Sequence, residues 1–461
     1  MIEKCVGVFA LLYRKIESYI REFLLADHNK VLLVEGARQI GKSYIIRKVG
    51  NDLFENYIEL NMAEDKTNAR LFEHVTSTES FYIAVSSIAG ERMNTQKDTL
   101  IFIDEIQEYP NLLTLLKFLK QENKYTYVAS GSLLGLALAE TTSIPIGSIQ
   151  RKRMYQLDFE EFLIANGCGA NVISAMYEHY KNRQPLEEGL HNRIMDLFRR
   201  YLIVGGMPDC VNTFLETRNV AKIREIQSDI IRYYRADASK RDAEKKLKIG
   251  RIYDMLPSFV QNTKKRIVVK DIENIQGKRF SNYADEFDYL INSGIANDVK
   301  AISNPVFPLC QSEDKNLLKL YMNDVGLLSC ILFQRNTKPI LDDIRSVNLG
   351  ALYETAVALQ LRACGNERLF YYDNRKNGEV DFLIDNYENL SVLPLEVKSG
   401  RDYRIHSAID RFVQNEDYPV QEGIVLCNDR DISVTGKITH MPIYFVIFMR
   451  QDEIPESDLL I

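Results

Sequence analysis

Val31-Leu-Leu-Val-Glu-Gly36-Ala-Arg-Gln-Ile-Gly41-Lys42-Ser43, continued by Tyr44-Ile-Ile-Arg-Lys, is the stretch that decides the fold. The apolar run Val31 to Val34 reads as a buried strand, and the residues after Ser43 read as a helix. Between them, two glycines bracket four residues and are followed by lysine and serine. This is the pattern G-x-x-x-x-G-K-S/T in a strand–loop–helix setting. The spacing has a physical reason. Gly36 and Gly41 let the backbone wrap closely enough for its N–H groups to face phosphate oxygens at the positive end of the following helix. Gly36, Ala37, Arg38, Gln39, Ile40, Gly41, Lys42 and Ser43 are therefore candidate nucleotide contacts. Lys42 would reach the β- and γ-phosphates, and the Ser43 hydroxyl would be a ligand of Mg²⁺.

A second apolar strand, Thr99-Leu-Ile-Phe-Ile-Asp104-Glu105, ends in two acids. Beside such a loop, Asp104 is a candidate Mg²⁺ ligand through water, and Glu105 a candidate base for the attacking water. One helical stretch later, Tyr125-Thr-Tyr-Val-Ala-Ser130-Gly-Ser132 is a further strand ending in small polar residues. Ser130 and Ser132 are both candidates for a polar sensor of the γ-phosphate, and the letters do not choose between them. Strands alternating with helices imply a parallel sheet covered on both faces.

These motifs, with Ala129-Ser-Gly-Ser132, Leu157-Asp-Phe-Glu-Glu-Phe162 and Tyr201-Leu-Ile-Val-Gly-Gly-Met-Pro208, occur in one order along the chain. Together they resemble a prokaryotic AAA-type ATPase family carrying a C-terminal domain of unknown function. The resemblance implies an ATP-binding, Mg²⁺-dependent ATPase. An arginine acting on a neighbouring subunit, and hence an oligomer, would be sought at Arg151, Lys152 and Arg153; a basic strand end gives the same letters.

The 461 residues allow two to four domains, and 46% hydrophobic with 26% charged residues is an ordinary globular composition. Seven scattered cysteines with no C-x-x-C fit a reducing cytoplasm and offer no metal or disulfide framework. No apolar run approaches the roughly 18 residues that span a membrane, and the short run from Val6 to Tyr13 is a poor signal peptide, read instead as the start of a helix. The expectation is a cytoplasmic chain without a membrane partner. The net charge is −6, yet residues 235–279 hold thirteen Lys/Arg against six Asp/Glu, a net of +7 that leaves −13 elsewhere.

Across the middle section, about 190 to 310, helices are expected at 191–204, 220–234, 249–260, 270–275 and 280–291, with a short strand at 267–269. Gly294 to Ile302 reads as a β-wing. The pattern suggests a winged helix with Lys278, Arg279, Asn282 and Tyr283 at the start of its recognition helix. Asp285, Glu286 and Asp288 follow at once and would repel phosphates. Two uses follow: contact with DNA or RNA, or a structural or protein-contacting role.

Near the C-terminus, Asp381 of Gly378-Glu-Val-Asp381-Phe-Leu-Ile is separated by fourteen residues (382–395) from Glu396-Val-Lys398. Glu396 and Lys398 alternate onto one face of a strand, and Glu354 lies among apolar residues of a helix expected at 349–361. The arrangement resembles the PD-(D/E)xK nuclease superfamily. It implies Asp381 and Glu396 as ligands of a hard divalent cation, joined by Glu354, and Lys398 as the group that orients water. The fold class expected is thus α/β: a P-loop NTPase parallel sheet (residues 1–190), a helical and winged-helix-like region (191–310) and a nuclease-like α/β domain (311–461). Two functions follow from it. ATP either drives nucleic-acid cleavage or remodelling, or switches a regulatory or assembly protein whose C-terminal domain is a silent binding module.

Overall fold

The computed structural model describes residues 12–26, 29–94, 96, 98–132, 147–237, 243–261, 267, 269–273, 279–344, 347–400 and 407–450. Most of the apolar start from Val6, together with Lys264, Lys265 and Lys278, lies outside these residues, as do the side chains of Lys245 and Lys246. The chain forms two compact units, where the sequence suggests three segments. One holds Tyr13–Gln156 with Ile291–Ile295; the other holds Leu157–Leu290 and Ala296 onward.

The first unit runs α1 (Lys15–Leu25), β1 (Val31–Glu35), α2 (Lys42–Leu53), β2 (Asn56–Asn61), α3 (Met62–Thr67), α4 (Thr78–Ala89), β3 (Thr99–Asp104), α5 (Pro110–Glu122), β4 (Thr126–Gly131) and β5 (Ile149–Arg153). Its strands make one parallel sheet in the order β2-β3-β4-β1-β5. Alternation divides the apolar residues between two cores. Val31, Leu33, Ile101, Ile103, Tyr127 and Ala129 pack with Phe81 and Val85 of α4 and Leu112 and Leu116 of α5. On the opposite face α2 lies so close that a Cβ on Gly50 would come within 2.9 Å of the Leu100 side chain. The loop after β1, Asp104 at the end of β3 and Ser130 near the end of β4 all sit at carboxyl ends of strands. α2, after β1, and α5, after β3, cover opposite faces of the sheet, and open parallel sheets place ligands at this carboxyl edge.

The second unit opens with helices α6 (Phe159–Ala165), α7 (Ala170–Lys181), α8 (Glu188–Val204), α9 (Pro208–Thr217), α10 (Val220–Asp237), α11 (Ala243–Gln261), α12 (Lys270–Glu273) and α13 (Ala284–Asn292). Then follow β6 (Ala296–Ile302), β7 (Glu313–Met322), α14 (Val325–Phe333), α15 (Lys338–Leu341), α16 (Gly350–Ala363), β8 (Phe370–Asn374), β9 (Gly378–Asn386), β10 (Ser391–Val397), α17 (Ser407–Val413), β11 (Gly423–Cys427), β12 (Ser433–Thr435) and β13 (Ile438–Pro442). These strands form a mixed sheet in the order β12-β13-β11-β10-β9-β8-β6-β7.

The segment expected as a wing is β6, an interior strand of that sheet, antiparallel to β7 and parallel to β8. Its alternating apolar pattern specifies a strand but not the strand's partners. Asn282 and Tyr283 fall in a short 3₁₀ turn (Phe280–Tyr283) ahead of α13 rather than at the start of one long helix. Gly205-Gly206 of the Gly-Gly-Met-Pro motif has a packing role. The Gly206 N–H donates to buried Asp324 (2.6 Å), and a Cβ on Gly205 would meet that carboxylate at 2.1 Å. Among the described residues, no helix is long and apolar enough to cross a membrane.

Candidate functional site

The loop Gly36–Gly41 turns on glycine geometry. A Cβ on Gly36 would meet the Met154 carbonyl at 2.3 Å, and Gly41 adopts φ +90° where α2 begins. Lys42 is 5% exposed, and its Nζ donates to the carbonyls of Gly36 (3.0 Å) and Ala37 (2.8 Å). Burial lowers its pKa; the charges of Glu105 and Asp104 oppose that shift. Next to it, the Ser43 hydroxyl donates to Asp104 Oδ2 (2.7 Å), while the Ser130 hydroxyl and the Glu105 N–H (3.1 Å) donate to Oδ1. Burial raises the Asp104 pKa, and the two serine hydroxyls pull it back.

Glu105 stands in the left-handed region (φ +52°), which turns its side chain out of the strand's alternation. Its Oε2 accepts from Ser132 Oγ (3.3 Å) and from Gln107 Nε2, and Ser132 in turn accepts from Arg38 Nε (3.2 Å). The two serines that the sequence left open therefore serve different acids: Ser130 binds Asp104, and Ser132 binds Glu105.

The donor set fits a hard cation beside phosphates: a hydroxyl and a carboxylate already 2.7 Å apart, with a buried ammonium next to them. The basic strand end has partners within the chain. Arg151 pairs with Glu35 (2.6 Å), Lys152 lies 4.2 Å from the centre of the Tyr19 ring, and Arg153 reaches the Ile291 carbonyl (3.4 Å).

Sequence reasoning missed Arg14 and Gln107. Arg14, 6% exposed, donates to the Ile40 carbonyl inside the loop (2.9 Å) and to the Tyr155 carbonyl (2.6 Å). These partners lie 26 and 141 residues away, so no local pattern announces them. Gln107 was legible as a polar residue two positions after Glu105.

The acids of the eight-stranded unit are held differently. Between Val380 and Leu383, β9 carries one residue more than β8, so Asp381 and Phe382 together face Tyr371. Such a bulge re-aims a side chain. Asp381 Oδ2 accepts the N–H of Val397 (2.9 Å), which lies two residues past the last rung between β9 and β10. Glu396 Oε1 is bonded to Lys398 Nζ (2.8 Å), and Glu354 accepts from the Tyr321 hydroxyl (3.4 Å). Among the described residues, no three His, Cys, Asp or Glu side chains are gathered closely enough to hold a metal ion. Glu354, Asp381 and Glu396 thus form no such group.

Residues 28–163 match the model of an AAA domain. This stretch of the chain is an AAA domain. Beyond the AAA domain, residues 195–338 match a domain of unknown function, DUF8612, and residues 349–446 match another, DUF4143. No curated protein matches the chain. Among solved structures, it is similar to the Walker-type ATPase PABY2304 of Pyrococcus abyssi, with TM-score 0.43 and 13% identity over 70% of this chain and 96% of that one. It is also similar to the Thermotoga maritima RuvB Holliday junction branch migration motor, with TM-score 0.30 and 12% identity over 62% and 89%. A third is the Aeropyrum pernix ORC1 protein in complex with DNA, with TM-score 0.27 and 14% identity over 70% and 93%.

Proposed function

We propose that the AAA domain binds ATP with Mg²⁺ and hydrolyses it, and that this hydrolysis switches the second unit, which acts as a binding module of nuclease-like fold. The observation that carries the first half is the Lys42, Ser43, Asp104, Glu105 cluster at the strand ends. Ser43 and Asp104 would hold Mg²⁺, whose charge offsets that of the phosphates. Residues 36–43 would cradle the phosphates through their N–H groups, with Lys42 leaving the loop carbonyls for the β- and γ-oxygens. Glu105 would orient water and take its proton, steadied by Ser132 and Gln107. Ser130 would keep Asp104 ionised and aimed.

Adjacent antiparallel strands carrying Asp381 and Glu396, with Lys398 one residue past the second, support a nuclease-like fold. The partners of these residues support a module without turnover: one acid takes a backbone N–H and the other an ammonium. A protein, DNA or RNA would be its ligand. Two assays test the proposal. Phosphate release from ATP should require Mg²⁺, and nucleic acid incubated with Mg²⁺ or Mn²⁺, with and without ATP, should stay intact. Cleavage that disappears in Asp381→Ala and Lys398→Ala would restore the nuclease reading; absence of ATP hydrolysis would remove the ATPase reading.

A further inference from the structure

A nuclease-like arrangement of Asp381 and Glu396-x-Lys398 implies a divalent cation, and the residues around these acids do not fit one. We infer that Lys319 stands in for that cation, so that a buried ammonium compensates the acids of the eight-stranded unit. The inference rests on the binding-module reading above.

Lys319 is 1% exposed, on a strand whose neighbours Leu318, Leu320 and Met322 are buried. A lysine in such a place is costly unless acids surround it. Its Nζ lies 2.6 Å from Glu379 Oε1 and 4.4 Å from the centre of the Tyr371 ring. Tyr371 is the residue that faces Asp381 across the bulge. Two residues along β7, on the same face as Lys319, Tyr321 donates to Glu354. The Tyr321 hydroxyl is pushed well above its usual pKa, first by burial and then by the charges of Glu354, Asp381 and Glu379.

One polar layer therefore holds Lys319, Tyr321, Glu354, Glu379 and Asp381, with the Glu396–Lys398 pair on the next strand. Each acid takes a donor from the chain: an ammonium, a hydroxyl or an N–H. A metal ion would have to share these carboxylates with those donors, and Lys319 would repel it.

The test uses the full chain, free of nucleotide, with Mn²⁺ as the probe, read by the loss of the free Mn²⁺ signal in electron paramagnetic resonance and by thermal unfolding. Wild type and Asp381→Asn should bind Mn²⁺ equally. Lys319→Met, which keeps length and removes charge, should unfold at a lower temperature in chelator. It should bind one more Mn²⁺ per chain than wild type and regain thermal stability with it, and Lys319→Met with Asp381→Asn should lose that extra ion. A folded Lys319→Met that binds no more Mn²⁺ than wild type overturns the inference. So does wild-type binding that Asp381→Asn abolishes, a comparison that decides the matter even where Lys319→Met does not fold. Such binding without nucleic-acid cleavage removes the Lys319 inference alone, whereas Asp381-dependent cleavage removes the binding-module reading.

Discussion

Asp104 in the five-stranded unit and Asp381 in the eight-stranded unit are both buried aspartates on strands, but their partners differ in kind. Asp104 is bonded by the hydroxyls of Ser43 and Ser130 and by the N–H of Glu105. A hydroxyl can turn its lone pairs toward a cation and join the carboxylate as a ligand. Asp381 accepts the Val397 N–H, and other acids of the same unit pair with ammoniums, Glu379 with Lys319 and Glu396 with Lys398. None of these donors can become a ligand while protonated. On the proposals above, similar letters in two strands serve one site with a cation and one without it.

The sharpest way to break this contrast is at Lys42. Lys42→Ala should lower turnover by about a hundredfold or more and weaken ATP binding, because it removes the positive charge that faces the phosphates. Steady-state phosphate release and titration with a fluorescent ATP analogue measure both. Glu105→Gln comes next: kcat should fall by about a hundredfold while ATP affinity holds, since only proton transfer is touched. Turnover at the wild-type rate would remove Glu105 as the base.

A smaller effect separates the two serines. Burial holds the Asp104 carboxyl above its ordinary pKa, and the Ser130 hydrogen bond lowers it. Asp104 must be ionised to hold Mg²⁺, so activity should fall as pH drops through this raised value. Removing the hydrogen bond in Ser130→Ala raises the value further and should move the acid limb of the pH–rate profile upward. Ser132→Ala leaves Asp104 alone and should lower kcat only a few-fold, with the acid limb in place. An unmoved limb in Ser130→Ala would contradict the assignment.

The first unit was largely legible because its signals are local. The loop, the acidic strand end and the small-polar strand end each fit in a few residues, and β1, β3 and β4 bring them together. Arg14 was not legible, because its value lies in reaching a carbonyl of the loop from before α1. In the second unit, Asp381 and Glu396 fall on the expected strands and Lys398 one residue past the end of β10, but letters give residue type and not partners. The bulge at Asp381 and the ammonium from β7 are long-range facts. The lysine within Leu317-Leu-Lys-Leu-Tyr-Met322 was a usable signal, since a charged residue in a buried strand needs an opposite charge. The supposed wing is an interior strand because a strand's pattern leaves its neighbours open.

The measurement that tests the contrast most directly is Mg²⁺-dependent phosphate release from ATP by wild type, Asp104→Asn and Asp381→Asn, side by side. Wild type should release phosphate, Asp104→Asn should lose nearly all of that activity, and Asp381→Asn should keep it. Undiminished release by Asp104→Asn, or no release by wild type, would contradict the account.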